Sequence, residues 1–269
     1  MKIIDWNICY QGTPELKINF LKSVIGADSF IAILQEVTPS QYELFKSDFK
    51  NIRYSLDYRK PGSFDTRQRK LGIAIICSDD IKTKSADVLN RALLPDRTLM
   101  IDIEYKGSML RIMGLHSITG VAHKQAKSMQ FLSWAEAVDE YKPDIVGFDA
   151  NEPAKDHYDI EQMEFFAQSK VEKGYGAKTF FMTLKDTGLD DTYTVNYDPD
   201  NYVEGEPLVM SHHITRGDQR KRYDFIFMNK TLPVDKCEYM YDVAVKAGSD
   251  HALIFCECKL KKKPDNGMD

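Results

Sequence analysis

Short apolar runs bounded by Gly, Pro, Asp or Asn recur along the whole chain, and this pattern is typical of β-strands. Two of the runs are joined by Tyr105-Lys106-Gly107-Ser108, which predicts a tight hairpin turn. We predict strands over the segments Lys2–Ile8, Phe30–Leu34, Ile52–Tyr58, Leu71–Cys77, Thr98–Tyr105, Met109–Leu115, Ile145–Phe148, Thr192–Asn196, Tyr223–Met228 and Leu253–Cys258.

Apolar residues at a helical period occupy several intervals between these runs. One helix is predicted over Pro14–Ile25, with Thr13 before it as the N-cap and Gly26 after it as the stop. A second is predicted to begin at Thr38-Pro39, and the longest spans Val121–Tyr141. Many strands with a few interspersed helices predict two packed sheets flanked by helices, although the period alone leaves other layered arrangements open.

Composition limits the classes to which the chain can belong. Its 269 residues, 43% hydrophobic and 29% charged, predict one globular domain over residues 1–260 and a charged, disordered tail at 261–269. The net charge of −5 excludes a general polycation, so a polyanionic substrate would need a local basic patch or a bound metal. No apolar stretch is long enough to span a membrane. Five cysteines without a C-x-x-C pair and an N-terminus unlike a signal peptide predict a reducing, cytoplasmic setting.

Polar residues able to bind metal or phosphate stand where the apolar runs end, which is where a rigid scaffold presents a site. Each has a less specific interpretation: Asn7 alone is typical of a turn, and His116 of a structural histidine. Such interpretations explain their joint occurrence poorly. The set comprises Asn7, Gln35-Glu36, His116-Ser117, Asp149, Asn151, Asp224 and Ser249-Asp250-His251.

Oxygen donors in this set predict a divalent-metal site. Mg²⁺ prefers oxygen ligands and usually keeps several waters, so a few side-chain oxygens are sufficient. Asn7, Glu36 and Asp250 are the predicted ligands, with Mn²⁺ as the alternative ion.

The remaining residues of the set predict phosphate-ester chemistry. A phosphodiester resists nucleophiles because its oxygens are anionic, and a metal neutralises that charge. Asp149 can accept a proton from the attacking water, while Asn151 holds the phosphate or the aspartate in place. His251 can donate to a phosphoryl oxygen with Asp224 fixing its tautomer, and His116 offers a second donor.

Six short motifs, spanning residues 5 to 251, resemble in type and order those of the exonuclease/endonuclease/phosphatase superfamily, which includes deoxyribonucleases and abasic-site endonucleases. The resemblance implies an α/β fold, a four-layer α/β/β/α sandwich of two packed, mainly antiparallel sheets. It implies the same metal-binding and catalytic roles as the chemistry above. The motifs are Asp5-Trp6-Asn7-Ile8, Leu34-Gln35-Glu36-Val37, Gly114-Leu115-His116-Ser117, Gly147-Phe148-Asp149-Ala150-Asn151, Tyr223-Asp224-Phe225-Ile226 and Ser249-Asp250-His251.

Two departures from the family pattern flank the catalytic aspartate. The usual Gly-Asp-x-Asn is here interrupted by Phe148, although the spacing of Asp149 and Asn151 is kept. Glu152-Pro153 then follows, which leaves the subfamily, and with it the substrate, open.

The densest basic cluster of the chain immediately precedes Tyr223. Phosphate binding by Arg216, Arg220 and Arg222 is one interpretation and a solvated loop is the other, while Arg97 is a further candidate for the phosphate. A second metal site at His212-His213 is the least favoured interpretation. Weaker candidates, whose alternative is a packing or solvated role, are the patch Arg59, Arg67 and Arg69 and the aromatic residues Tyr175, Phe180, Phe181, Tyr193, Tyr197 and Tyr202.

Three functional hypotheses from different classes follow. The first is a Mg²⁺-dependent nuclease or DNA-end phosphodiesterase, whose partner is a nucleic acid. The second is a phosphatase or sphingomyelinase-like hydrolase of phosphorylated small molecules or lipid headgroups. The third is a binding module without catalysis, which the complete set of polar residues disfavours because a scaffold does not need it.

Overall fold

The structure is a computed structural model that describes residues 1–59, 71–119, 124–166 and 175–259. The predicted tail at 261–269, and Arg67 and Arg69 of the candidate basic patch, lie outside these ranges. The strands are β1 (Lys2–Asn7), β2 (Phe30–Val37), β3 (Ile52–Tyr54), β4 (Gly72–Cys77), β5 (Lys82–Asp87), β6 (Thr98–Tyr105), β7 (Ser108–His116), β8 (Ile145–Asp149), β9 (Leu189–Asp191), β10 (His212–Ile214), β11 (Gln219–Lys221), β12 (Asp224–Asn229), β13 (Val234–Met240) and β14 (Leu253–Cys258).

The predicted helices are present, and their ends follow from local hydrogen bonding. Thr38 caps the second helix through a capping box, in which the Gln41 side chain accepts the Thr38 N–H at 2.9 Å. Gly26 ends the first helix with a positive φ of 58°, whereas Thr13 makes no side-chain cap bond. None of the helices in the described ranges is long and apolar enough to cross a membrane. The helices are α1 (Pro14–Ile25), α2 (Pro39–Asp48), α3 (Ser55–Tyr58), α4 (Lys124–Tyr141), α5 (Tyr175–Asp186) and α6 (Tyr241–Lys246).

Two six-stranded sheets form the centre of the fold. The first sheet has the order β13-β14-β1-β2-β4-β3, and the second has the order β5-β6-β7-β8-β12-β9. Neighbouring strands are antiparallel except for β1–β2 and β7–β8. These two parallel pairs are connected through α1 and α4 respectively, since parallel neighbours need a crossover.

Three apolar clusters separate the layers. The cluster between the sheets is mainly aliphatic and includes Ile33 of β2 and Ile112 of β7. A second lies outside the first sheet, where Leu21 of α1 is buried. A third lies outside the second sheet, where Trp134 of α4 and Phe180 of α5 meet edge to face at 5.5 Å. The predicted four-layer α/β/β/α sandwich is therefore confirmed.

One predicted strand is wrong in its second half, and another is wrong throughout. Ile52–Tyr58 is a strand in its first half only, since the Ser55 hydroxyl bonds neighbouring backbone groups and α3 begins there. Thr192–Asn196 is a turn that ends in a 3₁₀ helix. Here the Asp191 carboxylate accepts the Tyr193 N–H at 3.1 Å and ends β9.

The sequence pattern does not predict β5, β13 or α5. Both strands lie at sheet edges and are largely polar and exposed, so no apolar run marks them. The turn between β6 and β7 is as predicted, with positive φ at Lys106 and Gly107. Phe180 and Phe181, weighed above as stacking residues, are fully buried on α5 and belong to the core.

The two sheets approach most closely at glycines of β7 and β8. A Cβ at Gly147 would lie 2.5 Å from Asp5 Oδ1 and 2.7 Å from Ile33 Cδ1. A Cβ at Gly114 would lie 2.8 Å from Cγ2 of both Ile33 and Ile73. The two sheets can therefore lie this close together only because glycine has no Cβ at these two positions.

Gly147→Ala is expected to lower the free energy of unfolding by about 1–3 kcal/mol, because the added methyl group overpacks the interface between the sheets. Urea denaturation followed by circular dichroism measures this change. Ile33→Val removes one of the two atoms that the methyl group meets, so Gly147→Ala should cost less stability in an Ile33→Val background than in the parent. An unchanged denaturation midpoint in Gly147→Ala would contradict the close packing.

Candidate active site

The ends of strands from both sheets meet at one edge of the sandwich. β1, β2, β7 and β8 end at this edge, whereas β12 and β14 begin there because they pair antiparallel with β8 and β1. In the second sheet, His116 of β7, Asp149 of β8 and Asp224 of β12 are neighbours in register. Every predicted metal-binding and catalytic residue lies at or close to one of these strand ends.

Asp149 lies at the centre of this edge and is almost completely buried. Its Oδ2 accepts Asn7 Nδ2–H at 2.9 Å, a bond that joins the two sheets, and Asn151 Nδ2–H at 3.2 Å. Its Oδ1 accepts the Asn151 backbone N–H at 2.9 Å. Burial raises the pKa of Asp149 to about 7, with His251 opposing the shift and Asp224 adding to it. The carboxylate is therefore fixed in orientation and able to exchange a proton near neutral pH.

The loops after β1 and β8 have the same local structure. In each, a side-chain oxygen accepts the N–H two residues later at 2.9 Å: Asn7 binds Cys9, and Asp149 binds Asn151. Cys9 and Asn151 have positive φ values of 55° and 48°, and Glu36 has one of 58°. Such backbone costs about 1–3 kcal/mol in a residue other than glycine and is typical of functional sites.

A buried lysine from an outer helix holds each of these two loops. Lys17 of α1 donates to the Cys9 carbonyl at 2.6 Å, and Lys127 of α4 donates to the Asn151 carbonyl at 2.6 Å. Lys127 also pairs at 2.9 Å with Glu152, the buried residue after Asn151. The two ammonium groups therefore fix the backbone of both halves of the site.

The sequence contains a signal for these lysines that the search for strand-end residues does not use. Lys17 falls on the same helix face as Leu21, and Lys127 shares a buried stripe with Phe131 and Trp134. A lysine on the apolar face of an amphipathic helix needs a polar partner inside the protein. Helical spacing alone thus indicates two buried ammonium groups, but it cannot indicate which carbonyls they bind.

Glu36 reaches the site through an irregularity in β2. The register of β2 against β4 shifts between Leu34 and Val37, and Glu36 takes up the extra length with its positive φ. Its Oε2 accepts the Tyr10 N–H at 3.1 Å, and its Oε1 lies 3.7 Å from His116 Nε2. The side chain is 20% exposed, so the carboxylate is open to a ligand.

His116 stands between two carboxylates, with Nε2 lying 3.7 Å from both Glu36 Oε1 and Asp149 Oδ2. Arg97, in the turn before β6, places Nη1 3.0 Å from His116 Nδ1. Burial lowers the pKa of His116 well below its usual value, and the charge of Arg97 adds to the shift. The same Nη1 also lies 3.3 Å from Nε2. Because Nε2 is the nitrogen that faces the two carboxylates, we assign the proton of neutral His116 to Nε2 and the acceptor role toward Arg97 to Nδ1. Arg97, a predicted phosphate ligand, therefore lies beside the site.

His251 forms a buried pair with Asp224, in which Nδ1 lies 2.8 Å from Oδ2. Burial opposes protonation of His251, but the charges of Asp224 and Asp149 outweigh it and raise its pKa to about 10. Ser249 fixes this loop, because its hydroxyl donates to the Asn7 carbonyl at 2.6 Å and accepts the His251 N–H at 3.0 Å. One ligand atom each of Asp149, Asp224 and His251 lies within 4.8 Å of the other two, so the second sheet meets the loop before β14 of the first sheet in one buried polar cluster.

The two buried histidines are expected to differ in charge in the metal-free protein near neutral pH. His116 should be neutral with its proton on Nε2, whereas His251 should carry both protons. Imidazole ¹⁵N spectra of the labelled protein distinguish these forms. Asp224→Asn should lower the pKa of His251 because its strongest attractive partner is lost, and a protonated His116 in the parent protein would contradict the assignment.

The predicted Mg²⁺ ligands differ in how many oxygen lone pairs their hydrogen bonds leave free for a metal ion. Glu36 offers Oε1, Asp250 offers an exposed carboxylate, and Asn7 Oδ1 keeps one lone pair beside its bond to the Cys9 N–H. Burial raises the pKa of Cys9 to about 11, and the charges of Asp250 and Glu36 both add to this shift. The two carboxylates are therefore both close to Cys9. The donor set is rich in oxygen and fits a hard divalent cation. Clusters of three potential ligands in the described ranges are Asp149–Asp224–His251 and His212–Asp250–His251.

Arg222 does not bind phosphate as predicted, because its side chain is completely buried. Its guanidinium pairs with Asp191 through Nη2 and lies 3.5 Å from Asp156 through Nη1. Nε donates to Tyr239 Oη at 3.1 Å, and the group lies 4.5 Å from the Phe225 ring centroid. The charge of Arg222 is therefore compensated inside the protein, where a substrate phosphate has no access.

The other predicted substrate contacts lie outside the pocket itself. Arg216 and Arg220 are exposed on the hairpin of β10 and β11, whose base adjoins His251 through a bridge between His212 and His251. Tyr193, Tyr197 and Tyr202 are partly exposed in the segment before this hairpin. Contact between these residues and a substrate therefore stays a prediction.

Comparison with known proteins supports the fold and adds no sequence family. No family model matches the sequence, and no curated protein matches it. The 3′ phosphatase NExo from Neisseria, solved with a product DNA hairpin, has a TM-score of 0.65 at 16% identity over 97% of this chain and 100% of that chain. D. rerio TDP2 complexed with a single-strand DNA product has a TM-score of 0.60 at 15% identity over 97% and 99%. An endonuclease/exonuclease/phosphatase from Bacteroides vulgatus has a TM-score of 0.60 at 14% identity over 97% and 98%. The chain therefore has the fold of the endonuclease/exonuclease/phosphatase proteins.

Proposed function

We propose that this protein is a divalent-metal-dependent hydrolase of phosphate esters, acting as a nuclease or DNA-end phosphodiesterase. The observation that carries the proposal is the position of Asp149. Three hydrogen bonds orient its carboxylate, its pKa is about 7, and the Asp224–His251 pair and Glu36–His116 lie on either side of it. A fixed base beside a cation and a metal-binding carboxylate is what hydrolysis of a phosphate ester requires.

Glu36, Asp250 and Asn7 would hold the ion, Mg²⁺ or Mn²⁺, because each supplies an oxygen donor: the Glu36 and Asp250 carboxylates are open to a ligand, and buried Asn7 keeps a lone pair on Oδ1. When bound, the ion would neutralise charge on the phosphate oxygens. The remaining steps fall to the protein's own residues.

Asp149 accepts a proton from the attacking water, and Asn7 and Asn151 keep its oxygens in one orientation. As the water oxygen bonds to phosphorus, the ester P–O bond breaks, and the leaving oxygen, whose developing charge a bound ion would neutralise, takes a proton from solvent. Protonated His251, held by Asp224, donates from Nε2 to a phosphoryl oxygen.

His116 and Arg97 supply further hydrogen-bond donors on the opposite side of Asp149. The Nε2–H of His116 faces the pocket, and the Arg97 guanidinium adds a fixed positive charge beside it. This local charge offsets part of the repulsion between a polyanion and a chain of net charge −5. Arg216 and Arg220, exposed on the hairpin next to the site, are positioned to meet a longer phosphate backbone.

DNA is the proposed substrate class because the similar structures named above include complexes with a DNA hairpin and a single-strand DNA product. The name of the Neisseria protein also supports a second candidate, removal of a 3′ phosphate from a DNA end. Both reactions are hydrolyses of a phosphate ester by the same residues. Which of them occurs depends on the DNA ends that the surrounding surface can bind.

End-labelled DNA substrates with a 3′ phosphate, a 3′ hydroxyl or an internal abasic site separate these candidates. We expect hydrolysis with Mg²⁺ or Mn²⁺, none with EDTA, and recovery when the metal is restored. Phosphate release without shortening identifies a phosphatase, and shortening or internal cleavage identifies a nuclease. Equal hydrolysis in EDTA, or none of any substrate with metal, would overturn the proposal.

Glu36→Gln is expected to raise the Mg²⁺ concentration for half-maximal activity by more than about tenfold, because even groups that only support a metal ligand are worth about 10–100-fold. Glu43→Gln on the exposed face of α2 is the matched control and should leave the metal dependence unchanged. A metal titration of the hydrolysis rate measures both. The same half-maximal concentration in Glu36→Gln and the parent would remove Glu36 from the metal site.

A further inference from the structure

His212 is a histidine next to the pocket to which the proposed reaction gives no role. It begins the hairpin of β10 and β11, and a backbone bridge pairs it with His251. The Ala252 N–H donates to the Ser211 carbonyl at 2.7 Å and ties the hairpin to the loop before β14. The two imidazole rings lie with their centroids 4.3 Å apart. The fold therefore holds both rings at a fixed separation.

Each of these rings is oriented through its Nδ1 atom. His212 Nδ1 donates to the Asp250 carbonyl at 3.0 Å, and His251 Nδ1 pairs with the Asp224 carboxylate at 2.8 Å. A histidine that binds a metal typically donates its other ring N–H to a backbone carbonyl or a carboxylate, and both arrangements occur here. In both residues Nε2 is the nitrogen left for a ligand, and a metal ion at His251 must displace the proton that this nitrogen carries in the metal-free protein.

Asp250 supplies a third donor beside the two imidazoles. Its carboxylate is exposed, and ligand atoms of His212, Asp250 and His251 lie within 4.8 Å of one another. Donors around a zinc ion at bond lengths of about 2.0–2.2 Å are roughly 3–4 Å apart. The two ring planes are inclined by 31°, so the exposed side of the site, His212 and Asp250, must rotate for all three donors to face one ion. A fourth position would remain for water or another ligand.

We propose that His212, His251 and Asp250 form a binding site for a transition-metal dication such as Zn²⁺. Two imidazole nitrogens and one carboxylate are a ligand set for zinc, whereas Mg²⁺ prefers oxygen donors alone. The site overlaps the oxygen-rich set of Glu36, Asn7 and Asp250 at Asp250 and differs from it in its two imidazole donors. Zinc bound there engages the same Nε2 that would donate to the phosphate. Bound zinc should therefore inhibit hydrolysis. This inhibition rests on the proposed function, whereas zinc binding itself does not.

The binding is tested on the full chain without a histidine tag, stripped of metal, by competition with a chromophoric zinc chelator. We expect one zinc ion per chain bound through this site, and His212→Ala should raise its dissociation constant by more than about tenfold, since even a group supporting a ligand is worth about 10–100-fold. His213→Ala is the matched control, because His213 faces Asp218 at 2.7 Å on the same hairpin and should bind zinc as the parent does. His212→Gln tests the same loss with a side chain closer in size.

Equal zinc affinity in the parent and in both His212 variants would overturn the site, and so would no zinc binding by the parent. Zinc that is bound through the five free cysteines would survive the loss of His212 and give the first of these results. Where hydrolysis is observed, zinc should inhibit the parent and His213→Ala at a concentration at least about tenfold lower than His212→Ala. Zinc binding without any hydrolysis would retain the metal site and reject the proposed function.

Discussion

Asp149→Asn is expected to lower kcat for phosphate-ester hydrolysis by about 10²- to 10⁴-fold, because an amide cannot accept the proton of the attacking water. The substitution keeps the size of this buried side chain, but its NH₂ group must replace an oxygen that accepts an N–H, so one of these hydrogen bonds is lost together with the base. Single-turnover kinetics at saturating Mg²⁺ isolate the chemical step from metal binding. The KM should change much less than kcat, since Asp149 acts on the water and not on the substrate's remote groups.

The control for this experiment is a carboxylate of the same sheet that lies away from the pocket. Asp190 of β9 is partly exposed and pairs with Lys230 at 3.6 Å, so Asp190→Asn should retain the parent's kcat. Circular dichroism of both variants establishes that they are folded. A kcat of Asp149→Asn close to the parent's, in a folded protein, would remove Asp149 as the base.

Arg222→Met is expected to lower the free energy of unfolding by about 3–5 kcal/mol, the typical cost of leaving buried charges without their partner. Asp191 and Asp156 would both lose the guanidinium that now compensates them inside the protein. Urea denaturation measures the change. Methionine has a similar length and retains packing against Phe225, so the loss reports on charge more than on volume.

Arg216→Met is the matched control for this variant, because Arg216 is exposed and its replacement should change stability by no more than about 0.5 kcal/mol. The pair of variants also separates the two roles considered for the basic segment. If Arg222 bound phosphate, its variant would keep the parent's stability and show a raised KM, and that result would restore the earlier interpretation.

The layered fold was predictable because its central strands are buried on both faces. Continuous apolar runs such as those of β2, β4 and β8 leave little ambiguity about strand position. Edge strands are different, since β5 and β13 expose most of their polar residues and carry no comparable signal. The strand expected at Thr192–Asn196 fails for a local reason, the turn that the Asp191 carboxylate stabilises.

The polar residues of the site were predictable as a set because they follow the buried strands directly. Whether these residues lie close together depends on the order of the strands in the sheets. The sequence indicates that order only through its resemblance to a family of proteins. Arg222 shows the limit of this approach. Its charge was visible in the sequence, but its burial depends on Asp156 and Asp191, which are distant in the chain. The two lysines under the loops were missed for another reason: they bind backbone carbonyls, which no residue type in the sequence marks.

The hydrogen bond between Asn7 and Asp149 spans 142 positions of the chain and crosses from one sheet to the other. Neither half of the protein alone contains a base, its orienting amide and a metal-binding carboxylate. The proposed hydrolytic competence must consequently require that both sheets are docked, and it must disappear with their separation. A newly made or damaged copy of this protein would thus be harmless to nucleic acid until it had reached its final form.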